Sequence, residues 1–235
     1  MVTVCWSVKG GSGVSVTSCA LALLRAQLGE EPVLLVDLTG GAALVLGCQA
    51  AVDVAGVHDW LAADESVASS LLQQLIVGGE SGLHVLPVGR SSCPSPAPHR
   101  VDELVTWLSD WPGHVVVDLG TDTTMRRPFL SHADRSVLVL RLCYLAGRAA
   151  VAAERADALV IVEEPDRTLT CRDLVSALDV SVVARVPWDA AIAKAVDAAS
   201  LAHRMPRVLA RSLRPLRVPA FGASTSTRDR PLKVA

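Results

Sequence analysis

Lys9-Gly10-Gly11-Ser12-Gly13-Val14-Ser15 lies between an apolar run, Val2 to Val8, and a helical pattern, Val14 to Leu28. A glycine-rich turn joining a strand to a helix N-terminus aims several backbone N–H groups at one point, with the helix dipole behind them. Such a turn suits the phosphates of a nucleotide, and its expected contacts run from Lys9 through Gly10, Gly11, Ser12, Gly13, Val14 and Ser15 to Val16. The usual phosphate loop, G-x-x-x-x-G-K-S/T, carries a lysine immediately before its hydroxyl residue. Here Val14 stands in that place.

Working outward, the loop opens a regular alternation. Apolar runs rich in Val and Leu recur at Val2–Val8, Val33–Asp37, Leu83–Val88, His114–Asp118, Ser136–Arg141, Ala158–Val162 and Val180–Val186. They lack strict alternation, as strands covered on both faces do. Helical patterns separate them at Val67–Ile76, Val101–Trp111, Ala146–Asp157, Thr170–Leu178 and Ala190–Leu201. Strand alternating with helix predicts an α/β fold: a doubly wound, mostly parallel sheet of about seven strands flanked by helices. Ligands of such sheets sit beyond the strand carboxyl ends. Two proline- or glycine-marked stretches, Val88 to His99 and Gly120 to Pro128, read as loops, the second as a candidate nucleotide-responsive segment.

Two aspartates fall at strand carboxyl ends, Asp37 after Val33-Leu34-Leu35-Val36 and Asp118 after Val115-Val116-Val117. With the Ser15 hydroxyl they form a candidate Mg²⁺ set, since a carboxylate beside a phosphate loop is placed to hold the metal or its water shell. Strand-end aspartates also cap the turns that follow them, and that reading stays open for each. Lys9 is one of three lysines in a chain with nineteen arginines, which implies a positional demand for lysine. A compact ammonium approaches a phosphate as a point charge where a guanidinium fork does not fit.

Composition narrows the classes. Hydrophobic residues make up 51% and aromatics only 3% of the 235 residues, so the core must be built from Ala, Val and Leu. No apolar run reaches the ~18 residues of a membrane span, and no leader-like segment precedes the first strand, so the expectation is a cytoplasmic protein. The six cysteines form no C-x-x-C pair and no cluster with histidine, which predicts reduced, mostly buried thiols and no Cys/His metal site. The net charge of −2 hides an asymmetry: from His203 onward eight Lys/Arg face one acid, whereas the first 202 residues hold fourteen against twenty-three.

Together these features resemble the ParA/MinD family of deviant phosphate-loop ATPases, of the SIMIBI class, whose signature is K-G-G-x-G-K-S/T. The resemblance spans about residues 2 to 205. Lys9, Gly10, Gly11, Gly13 and Ser15 match, and Val14 departs. It implies ATP and Mg²⁺ as ligands and an ATP-dependent homodimer in which Lys9 reaches the nucleotide of the opposite subunit. It also implies catalytic roles for Lys9, Asp37 and Asp118. Asp37 matches the first aspartate of the family's D-x-D, with Thr39 in place of the second. Val186-Pro187-Trp188-Asp189 looks like the loop beside the nucleotide base, giving Pro187 and Asp189 as cofactor contacts. The family's asparagine before it is absent, and Glu163 and Glu164 stand there instead. A phosphate loop without its lysine is similar to the TadZ/CpaE-like and septum-site branches.

The resemblance implies an ATP-binding spatial organiser in partitioning, division or pilus positioning, at most a slow ATPase, that recruits a protein partner. The alternative is a nucleotide-free pseudo-ATPase scaffold. Residues 1–205 form the expected nucleotide-binding domain, 206–217 a short basic helix and 218–235 a disordered tail. Arg204, Arg207, Arg211 and Arg214 recur at three- and four-residue steps with Leu209, Leu213 and Leu216 between them. Three readings fit: a helix docked by its leucines, a DNA-phosphate contact, or a membrane-surface or protein contact. The last two would add nucleoid, pole or membrane association.

Overall fold

A computed structural model describes residues 1–78, 82–92 and 95–217. Its strands are β1 (Val2–Trp6), β2 (Val33–Asp37), β3 (Val77–Gly78), β4 (Leu83–Leu86), β5 (His114–Gly120), β6 (Arg135–Arg141), β7 (Ala158–Glu163) and β8 (Val182–Pro187). The helices are α1 (Val14–Ala26), α2 (Ala42–Leu46), α3 (Val57–Ala62), α4 (Pro98–Ser109), α5 (Arg126–His132), α6 (Tyr144–Val151), α7 (Cys171–Leu178), α8 (Ala190–Asp197) and α9 (Arg207–Leu213). The eight strands form one sheet in the order β3-β4-β2-β5-β1-β6-β7-β8, parallel throughout except for the β3–β4 pair. The eighth strand is the two-residue antiparallel edge β3, too short to carry a sequence pattern.

Side chains alternate between two apolar layers, as the pleat requires. Val4, Trp6, Leu34 and Val36 face one layer, and Cys5, Val33 and Leu35 the other. Each fully buried Leu or Val contributes ~1.5–3 kcal/mol relative to exposure. Helix α1 is buried at every position from Thr17 to Ala26, and Ser18, Cys19, Ala20 and Ala22 keep that approach close. Burial pushes the Cys5 thiol up to about 12 and raises that of Cys19 well above its ordinary value, so both stay protonated. Cys5, Cys19, Cys48, Cys143 and Cys171 are all free thiols; Cys93 lies outside the described residues, as does the stretch 218–235 expected to be a tail.

Three segments differ from the sequence reading. The pattern at Val67–Ile76 is a 3₁₀ helix over Ser69–Leu75, whose apolar spacing of three suits that tighter turn. The stretch expected as a loop over Gly120 to Pro128 contracts to 121–125, because β5 runs to Gly120 and α5 begins at Arg126. Helices α2 and α3 lie between β2 and that 3₁₀ helix, where the sequence predicts no element. At the C-terminal end, Leu209, Leu213 and Leu216 are buried while Arg204, Arg207, Arg211 and Arg214 are exposed, so α9 is docked by its leucines. No described helix is long and apolar enough to cross a membrane.

Candidate functional site

The sheet register assembles the site. β1 lies between β5 and β6, and Asp37 of β2 is the register neighbour of Asp118 on β5. The loop after β1 therefore emerges beside both carboxylates. Gly11 and Gly13 take positive φ values of 74° and 87°, a region that L side chains rarely adopt. Gly13 is the N-cap of α1 and has no side-chain cap, so the first-turn N–H groups are left for a ligand. Ser12 is buried, and its hydroxyl donates to the Lys9 carbonyl at 2.7 Å, which closes the loop on itself.

Val14 opens α1 and is only 7% exposed, inside the apolar layer that holds Cys19 and Leu23. It offers a ligand only its main-chain N–H. Lys9 is exposed at the loop's outer edge.

The aspartates divide their work. Asp37 Oδ1 accepts from the Thr39 N–H at 3.0 Å, the Thr39 hydroxyl at 3.1 Å and the Gly40 N–H at 2.8 Å. Its Oδ2 accepts from the Ala42 N–H at 2.9 Å and the Ala43 N–H at 3.4 Å. Both oxygens are thereby committed to the turn into α2, the capping role weighed for strand-end aspartates. Asp118 is different. Its Oδ2 accepts from the Thr39 hydroxyl at 2.9 Å, but its buried Oδ1 has no hydrogen-bond partner. Burial raises the Asp118 carboxyl to about 6; the Ser15 hydroxyl offsets part of this, and the neighbouring Asp37 adds to it.

Thr39 is the residue whose part the sequence hides. Its Oγ1 lies within hydrogen-bond distance of both carboxylates and 3.4 Å from Ser15 Oγ. With one proton to give, it serves one carboxylate at a time. Thr39 thus links Ser15, Asp37 and Asp118 into one polar cluster.

A magnesium ion fits this donor set. Mg²⁺ is bound by one or two carboxylates together with substrate phosphates and waters. The orphaned Asp118 oxygen and the nearby Ser15 hydroxyl are the groups that would hold it. Asp37 shapes the turn, so direct contact with such an ion would fall to Asp118.

On the other side of the loop, Gly11, Gly13, Val162, Pro187, Trp188 and Ile192 are among the residues lining a cavity of about 280 Å³. Its walls are mostly apolar, as those of small-molecule pockets are. Asp189 lies at its rim, but its carboxylate caps α8 by accepting from the Ala191 N–H at 2.7 Å. A second cavity of about 160 Å³ is lined by Lys9, Gly10, Ser12, Arg141, Cys143, Ala146 and Arg167. The Cys143 thiol there is held below its ordinary range by the Ala146 backbone N–H, with smaller help from Lys9 and Arg167. Arg141 escaped the sequence reading; its one signal is a basic residue at a strand carboxyl end.

Solved structures share this arrangement of elements at low identity. A ParA family ATPase from Chlorobium tepidum TLS matches with a TM-score of 0.77 and 19% identity, over 92% of this chain and 96% of that one. The chain has the ParA/MinD fold. The septum site-determining protein MinD from Pyrococcus horikoshii OT3, complexed with Mg-ADP, matches with a TM-score of 0.74 and 19% identity, over 92% and 93% of the two chains. The MinC:MinD cell division protein complex from Aquifex aeolicus contains a further ParA/MinD fold at a TM-score of 0.74 and 17% identity, over 92% and 93%. No protein-family model and no curated protein sequence matches the chain.

Proposed function

We propose that the protein is an ATP-binding switch that dimerises over nucleotide and hydrolyses it weakly or not at all, serving as a spatial organiser that recruits a protein partner. The carrying observation is the unpartnered Asp118 oxygen beside an uncapped helix N-terminus. A buried carboxylate oxygen without a partner is costly unless a ligand completes it. The apolar cavity next to the loop gives the base and ribose a place. Likeness to MinD bound to Mg-ADP supports the ligand, and likeness to a MinC:MinD complex supports a partner.

Weak turnover follows from position 14. Phosphoryl transfer is catalysed by positioning and charge stabilisation. Losing one charge-stabilising donor typically costs ~2.7–4 kcal/mol in the transition state, or ~10²–10³-fold in rate. Ground-state binding needs less, because the loop N–H groups, Ser15 and a bound Mg²⁺ remain.

Titration calorimetry with ATP, with and without Mg²⁺, is the direct test. Magnesium-dependent binding is expected, together with little phosphate release at steady state. No binding under either condition would leave a nucleotide-free scaffold. For the dimer, light scattering should show ATP-dependent doubling of mass in the wild type and its loss in Lys9→Ala. Doubling that survives in Lys9→Ala would remove Lys9 from the interface.

A further inference from the structure

We propose that Arg141 supplies, for ground-state binding, the positive charge that the phosphate loop lost at position 14, an inference that rests on reading the loop as a polyphosphate site. The sheet puts it there. β6 pairs with β1 up to Leu138 opposite Trp6, where β1 ends. Three further residues carry β6 on to Arg141, ~10 Å at the usual rise, alongside the loop. There Arg141 Nη1 donates to the Gly11 carbonyl at 3.3 Å.

The guanidinium is held on two more sides. Its Nη2 forms an ion pair with Glu164, a carboxylate whose side chain is only 9% exposed and which also pairs with Arg167. Its carbon lies 5.2 Å from the Trp188 ring centroid. Trp188 and Gly11 wall the apolar cavity, and Arg141 itself lines the cationic one, so Arg141 stands between the two. A nucleotide with its base in the first and its phosphates at the loop would lie beside this residue. A preoriented guanidinium suits phosphate oxygens well, since its fork donates in pairs and never deprotonates. The side chain is 29% exposed, which leaves part of that fork open to a ligand.

The competing role is mechanical: Arg141 merely braces Gly11. Four proteins separate the two: wild type, Arg141→Gln, Arg141→Lys and the double variant Val14→Lys/Arg141→Gln. Glutamine keeps a donor for the Gly11 carbonyl and drops the charge. Affinities for ATP, inorganic tripolyphosphate and adenosine are measured by calorimetry. If Arg141 is the missing cation, Arg141→Gln binds ATP and tripolyphosphate ~10- to 100-fold more weakly, the range for a lost charge-assisted contact. Adenosine affinity stays unchanged, Arg141→Lys retains most of the phosphate affinity, and Val14→Lys restores binding to Arg141→Gln. Equal ATP affinity in wild type and Arg141→Gln would overturn the inference while leaving the nucleotide site intact. So would parallel losses for ATP and adenosine without rescue by Val14→Lys. A wild type that binds neither ATP nor tripolyphosphate would instead overturn the nucleotide reading and the inference with it.

Discussion

Asp118→Asn is expected to stabilise the ligand-free protein by ~3 kcal/mol at pH 8 and to abolish magnesium-dependent nucleotide binding. The carboxyl is raised from 3.8 to about 6, chiefly by burial. Each unit corresponds to 1.36 kcal/mol between the two protonation states, so two units give ~3 kcal/mol. The sign follows from which state holds the proton. Between about pH 4 and 6 the folded chain keeps a proton that the unfolded chain releases, so stability falls as pH rises through this window. The cost is absent below the unfolded value and complete above 6.

Asparagine never ionises and still offers an oxygen to the Thr39 hydroxyl. Thermal melts with a chelator present should therefore show Asp118→Asn ahead of wild type by ~6–12 °C at pH 8, with most of the gap closed at pH 4. Saturating Mg²⁺ and ATP should lift only the wild type, by ~2.7 kcal/mol at a hundredfold excess over Kd. An Asp118→Asn protein less stable than wild type at pH 8 without ligand would show that Oδ1 is satisfied in the folded state, and the metal site would lose its main support.

How far the sequence reaches can be judged from particular residues. The buried parallel strands were legible because both of their faces are covered, which turns them into unbroken Val/Leu runs such as Val33 to Val36. Asp37 and Asp118 were legible for the same reason, as the first acids to close such runs. Helices α2, α3 and α5 were not, since five to seven residues hold too few turns to establish a period. In the site, the glycines announce the loop because no other residue readily accepts its backbone angles. What Thr39 and Arg141 do is settled by neighbours 79 and 130 residues away in the chain. Likewise, no local pattern reveals that Asp37 spends both oxygens on backbone donors while Asp118 keeps one in reserve.

The second large effect falls on the basic end, where Leu213→Ala is expected to cost 2–5 kcal/mol. Leu213 is fully buried, and truncating a core leucine removes transfer free energy and leaves a cavity. The loss should reach the site, because α9 packs against both α1 and β8. Leu209, one turn earlier, also walls the 280 Å³ cavity. Beyond the helix, the buried Arg25 donates from Nη2 to the Leu216 carbonyl at 3.4 Å, tying the docked segment to α1. Urea unfolding should thus show a lower midpoint with an unchanged slope, and nucleotide affinity should fall with it.

The exposed arginines answer to different physics. Arg207→Glu with Arg211→Glu touches no core contact, so stability should move by less than ~0.5 kcal/mol per site. If this face meets DNA or an anionic membrane, the same pair of reversals should abolish that binding, and wild-type binding should weaken steeply with salt. Leucine docking and arginine contact are then separable on one short helix, since the first responds to truncation and the second to charge. A midpoint unchanged in Leu213→Ala would mean that α9 contributes little to the fold, and its arginines would then be the better reason for the segment to exist.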